Sequence, residues 1–191
     1  MKTLSRVVAV LALAAGVAYA ADKFESGPAA GKRLGPFDVV KVNATEDGVK
    51  AGDTLCYFCK YNGASRTAPR VMVFTRQTDE AVASMAKQLD EQVAKNAEVK
   101  LAAFINVLAK DKDAADEAAK KLADSAKLAN VPVVVPVEFQ DGPANYSINP
   151  DAQVTVLVYN GGVVKANLSY DKPLSADDVK TVLADVAKQL N

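Results

Sequence analysis

From residue 70 onward, apolar positions alternate between two periods, and each stretch reads as one element. Val71, Met72, Val73 and Phe74 form a continuous apolar run of strand length, the pattern of a strand buried on both faces. Val82, Met85, Leu89 and Val93 follow at helical spacing, which makes Met85 a core residue. Thr78 is the expected cap of that helix, with Asp79 and Glu80 in its first turn. Residues 99–107 predict a second strand, and 113–128 an Ala-rich helix with Lys and Asp on its outer face. Residues 131–137 are β-branched and extended, and Pro132 and Pro136 predict an edge or irregular strand. Residues 154–159 predict a strand, Asn160-Gly161-Gly162 a hairpin turn, and 163–168 its antiparallel partner. Pro173 and Ser175 then open a last helix, whose Val179, Val182, Leu183, Val186 and Leu190 form one apolar stripe.

The N-terminal third is less regular. Lys2 and Arg6 precede a short apolar run over 7–17, and Ala18-Tyr19-Ala20 fits the small-x-small rule of a cleaved leader. Residues 1–20 are thus expected to be a signal peptide, 21–36 an extended Gly/Pro-rich lead-in, and 37–191 the folded domain. Within that domain 37–42 predicts an edge strand, 43–53 turns, and 60–69 a ten-residue loop. A leader of this kind implies export, to a periplasm or the outside, with no membrane span after cleavage.

Composition narrows the partners. Removing Lys2 and Arg6 leaves 21 basic against 23 acidic residues, a balance that favours neither nucleic acid nor an anionic membrane. Half of the residues are hydrophobic, sufficient for one well-buried domain in a mature chain of about 170 residues. Three N-x-S/T triplets, at Asn43, Asn145 and Asn167, read as chance matches. The chain has no histidine and no tryptophan, and its two cysteines, Cys56 and Cys59, stand two residues apart. Export to an oxidising compartment favours their closure as a disulfide.

Strands alternating with helices imply a parallel sheet centre built through right-handed crossovers. With a CxxC in an exported chain, this order resembles the thioredoxin-like superfamily, in particular secreted redoxins of the peroxiredoxin and membrane-anchored thioredoxin kind. Residues 31–39 (Gly-Lys-Arg-Leu-Gly-Pro-Phe-Asp-Val) resemble their opening segment, and 154–190 their closing hairpin and helix. The resemblance implies an α/β fold, a central mixed sheet flanked by helices with a C-terminal β-hairpin and helix. Two departures accompany it. The family's reactive cysteine follows the first central strand, where the next helix begins, but here Thr75-Arg76-Gln77-Thr78 occupy that place. The family's cis-proline position matches Val154, and the nearest proline is Pro150.

Several uses of the cysteine pair stay open at this level. In thiol–disulfide exchange with other exported proteins, Cys56 would be the attacking thiolate and Cys59 the resolving thiol, with Lys60 and Arg66 lowering the thiol pKa by charge. Alternatively the disulfide is structural, on a non-catalytic thioredoxin-fold binding domain, although so small a ring removes little chain entropy. Two thiolates could bind Cu(I), or half of a zinc site shared across a dimer, but a tetrahedral site within one chain lacks two ligands. Haem needs C-x-x-C-H, whereas Lys60 follows Cys59. The expectation is therefore no cofactor and no metal. A peroxidase reading lacks its nucleophile, since no thiol accompanies Thr75, Arg76 and Thr78.

Overall fold

A computed structural model describes residues 24–190. The expected signal peptide lies outside the described residues. Seven strands form one mixed sheet: β1 (Val39–Lys41), β2 (Thr54–Leu55), β3 (Pro69–Thr75), β4 (Ala102–Val107), β5 (Val133–Pro136), β6 (Val154–Asn160) and β7 (Val163–Tyr170). The helices are α1 (Tyr57–Ala64), α2 (Glu80–Lys95), α3 (Lys112–Ala126) and α4 (Ala176–Lys188), with a 3-10 turn at Ala144–Tyr146. The strand order is β2-β1-β5-β4-β3-β6-β7. β3, β4 and β5 are mutually parallel, while β6 runs antiparallel to β3 and β1 antiparallel to β5.

Alternation along the central strands divides the core in two. Val71, Val73, Ile105, Val133, Val156 and Val158 face α2, α3 and α4. Met72, Phe74, Phe104, Leu157 and Tyr159 face the other way, onto α1, the lead-in and Tyr146. Every residue of β3 is buried, as the continuous apolar run predicts. Val82, Met85 and Leu89 are buried along α2, and Val179, Val182 and Val186 along α4. Ser175 caps α4 in a reciprocal capping box with Asp178.

Several expected elements are corrected. The cap of α2 is Asp79, whose carboxylate accepts from the Val82 amide, and Thr78 lies one residue outside. The 131–137 segment is an interior strand, because its prolines avoid the ladder: Pro132 precedes β5 and Pro136 ends it. β1 is likewise not the edge, since the two-residue β2 pairs outside it. The expected loop 60–69 is helical as far as Ala64.

The lead-in is fastened to β7. Gly31 and Leu34 donate to the carbonyls of Val164 and Gly162, and Val164 donates back to Lys32. Ser26 is buried, with its hydroxyl 2.7 Å from that of Thr155, and its carbonyl accepts from Asn167 and Ser169. Two of the three N-x-S/T asparagines have structural work: Asn43 bonds the backbone of Val131 and Val133, and Asn167 the lead-in.

Candidate functional site

Cys56 and Cys59 are joined in a disulfide across the first turn of α1, with their Cα atoms 5.2 Å apart. Cys56 is the N-cap, and its sulfur accepts the Cys59 amide at 3.0 Å. An amide aimed at a sulfur from a helix N-terminus is a geometry that stabilises negative charge on it when the bond is opened. The two cysteines differ in access: Cys56 is half-buried and Cys59 is exposed.

The sequence of α1, Tyr-Phe-Cys-Lys-Tyr-Asn-Gly-Ala, is a poor intrinsic helix, so packing must hold it. Tyr57 and Tyr61, four apart, both turn onto the sheet. Tyr57 stacks on Phe104 at 5.5 Å, and Tyr61 meets the same ring edge-on at 6.0 Å. Phe58 lies 5.9 Å from Tyr159. Aromatic pairs of this kind contribute about 0.5–1.5 kcal/mol each beyond the area they bury.

Two buried basic residues fix the ends of this helix. At its start, Lys41 is fully buried and bonds the Asp47 carboxylate and the Val49 carbonyl. The second oxygen of Asp47 accepts from the Tyr57 hydroxyl at 2.5 Å, and the Asp47 carbonyl receives the Lys60 ammonium at 2.7 Å. Burial alone would raise the Asp47 carboxyl. The bonds from Lys41, Tyr57 and the Val49 amide, with the Lys41 charge, outweigh it and hold the carboxyl below its usual value. Burial, reinforced by Asp47, pushes the Tyr57 hydroxyl upward. At the other end, the Arg70 guanidinium donates to the carbonyls of Tyr61, Ser65, Pro69 and Lys100 and stands over the Tyr61 ring. It has no carboxylate partner among the described residues; its place is at the helix's negative end.

Cys59 opens onto a hollow of about 420 Å³ lined by Arg33, Leu34, Phe58, Asn62, Gly63, Arg66, Gly161 and Gly162. The hairpin turn forms one wall. Gly162 has φ +73°, a left-handed backbone that favours glycine, and a Cβ there would lie 3.3 Å from the Phe58 ring. Arg33 and Arg66 are both exposed, and no carboxylate lines the hollow. The expected modulators therefore separate: Arg66 shares the hollow with Cys59, while the Lys60 ammonium is held by the Asp47 carbonyl.

The register locates the hollow on the sheet. Its turn follows Asn160, which pairs with Pro69 at the start of β3. Thr75, at the far end of that strand, faces Val154, and the six residue steps between the ends span roughly 20 Å. Cys59 thus sits at the opposite end from Thr75–Thr78, and the segment 60–69 does not return it. A separate hollow of about 350 Å³, between Phe24–Gly27 and β7, holds no cysteine. Among the described residues, no group of three or more Cys, Asp or Glu could hold a metal ion. No described helix is long and apolar enough to cross a membrane.

No protein-family model matches the chain, and no curated protein is similar to it in sequence. Its fold is nevertheless shared with solved structures. A protein described as the thiol:disulfide interchange protein DsbE of Chlorobium tepidum matches with a TM-score of 0.60 at 10% identity, over 85% of this chain and 98% of that one. A protein described as a protein disulfide isomerase of Bacteroides thetaiotaomicron matches at 0.57 and 11%, over 86% and 92%. The peroxidoxin BcpB of Mycobacterium tuberculosis matches at 0.56 and 13%, over 85% and 96%. The fold is thioredoxin-like, a seven-stranded mixed sheet flanked by four helices.

Proposed function

We propose that this chain is an exported thiol–disulfide oxidoreductase that exchanges disulfides with other exported proteins through Cys56 and Cys59. The observation that carries the reading is the Cys56–Cys59 disulfide, with Cys56 capping a helix and Cys59 exposed at a basic hollow. Exposure, a helix N-terminus and nearby positive charge are the features that make a cysteine reactive. The names of the fold's solved neighbours agree with such chemistry, and the leader-like N-terminus supports export to a periplasm or beyond.

A second reading has its own observation. The disulfide clamps the first turn of a helix with poor propensity, at the end of the sheet away from the family's usual reactive position. A structural staple on a non-catalytic binding domain would have that placement. The reduction potential separates the two. Equilibration of the protein with glutathione buffers, read by alkylation and mass, is expected to give a value above about −270 mV with rapid exchange. A bond still closed below about −300 mV would establish the staple instead.

A further inference from the structure

We propose that the sulfur joined to the partner is that of Cys59, the second cysteine, and that the partner presents its cysteine on an acidic peptide segment received by Arg33 and Arg66. The inference rests on the exchange reading above and reverses the roles expected from chain order.

Access and leaving ability point to different sulfurs. Cys59 is exposed and opens onto the hollow, whereas Cys56 is half-buried at the helix N-terminus. In exchange, the reachable sulfur is attacked and the better-stabilised thiolate departs. A partner thiolate therefore bonds to Cys59 Sγ as the Cys56–Cys59 bond breaks. The bonding pair leaves on Cys56 Sγ, where the Cys59 amide already donates at 3.0 Å. A second partner thiolate then attacks the partner sulfur of the mixed disulfide and releases Cys59 as a thiolate. Two partner thiols become one disulfide, and the protein's disulfide becomes two thiols that take up the two protons. In reverse, Cys59 attacks a partner disulfide and Cys56 resolves it.

The hollow indicates what accompanies the partner's sulfur. Arg33 arrives on the lead-in and Arg66 from the end of α1. Neither guanidinium has a hydrogen-bond or ion-pair partner among the described residues. The carboxylate bonded to the first turn of α1, Asp47, is already held by Lys41 and Tyr57. Two unengaged cations beside an exposed sulfur, with no carboxylate to oppose them, favour Asp or Glu flanking the incoming cysteine.

The test compares Cys-containing peptides of equal length, flanked by Asp or by Asn, as reductants of the wild-type disulfide at low ionic strength. The acidic peptide is expected to react about tenfold faster, and an R33Q/R66Q variant to remove the difference, with the acidic peptide's rate falling to that of the neutral one measured on the same variant. Equal rates in wild type would overturn the acidic-partner assignment. In the same assay with the peptides as activated mixed disulfides, C56S is expected to capture the peptide at least about tenfold faster than C59S. The opposite order would overturn the assignment of Cys59. A wild-type disulfide that neither peptide reduces would instead defeat the exchange reading itself. Far-UV circular dichroism of each variant confirms folding, and the wild-type comparison requires no substitution.

Discussion

The Tyr57 hydroxyl donates to Asp47 at 2.5 Å, so the residue next to Cys56 is tied to a carboxylate that also neutralises the fully buried Lys41. The disulfide-bearing turn and the interior ion pair are therefore one assembly. Replacing Asp47 with Asn leaves the Lys41 ammonium buried without its countercharge, and is expected to cost about 3 kcal/mol at pH 7. The pH dependence has a definite sign. The Asp47 carboxyl is held below its unfolded value, so its contribution is present above about pH 4 and is lost as the pH falls through the lowered folded value. Urea midpoints of wild type and D47N at pH 7 and pH 3 are expected to differ strongly at the first and to converge toward the second.

Arg70 is expected to matter as much at the other end of α1. R70A strands the carbonyls of Tyr61 and Ser65 and removes the cation above the Tyr61 ring, for a loss of about 3 kcal/mol. Hydrogen exchange should show loss of protection confined mainly to 57–65, with α2 and α4 still protected. Uniform loss across all helices would contradict a local capping role.

Removal of both sulfurs is expected to be mild. The closed loop is so short that the chain-entropy contribution of the disulfide is roughly 2 kcal/mol. The C56S/C59S double variant should keep its secondary structure and lose about 4–8 °C in Tm. Collapse of the fold would assign the pair a larger structural role than its loop length supports.

Arg76 provides a control at the far end of β3. Its guanidinium donates to the Gln140 carbonyl, roughly 20 Å of strand away from the hollow. R76Q is expected to leave disulfide-exchange rates within about twofold of wild type, measured with either peptide.

The parts legible in the sequence were those whose pattern and packing agree. The Val71–Phe74 run, the Asn160-Gly161-Gly162 turn, Ser175 and the α4 stripe each announce their element locally. The parts that escaped depend on distant partners. α1 contains Gly63 and low-propensity residues and is helical because Phe104, Asp47 and Arg70 hold it; the i, i+4 spacing of Tyr57 and Tyr61 was its only local signal. Lys41 and Arg70, at the margins of apolar runs, look like strand boundaries in the sequence but are interior charges in the fold. β5 was misplaced because two prolines suggest an edge, although both stand at its ends. Cys56 and Cys59 were evident as a candidate site, but their place at the start of β3 depends on the path of α1 and on the neighbouring hairpin.

The position of that helix separates the fold from the cysteine pair. The β3-α2-β4-α3-β5 frame contains no cysteine, and the disulfide is carried on a segment that precedes it. A motif rule that asks for a cysteine after the first central strand would count this chain as inert. A shape-based rule would instead direct attention to Thr75–Thr78, the end of the sheet away from the disulfide. In this chain the sheet's two poles are furnished separately, a cysteine pair at one and a cysteine-free helix entrance at the other.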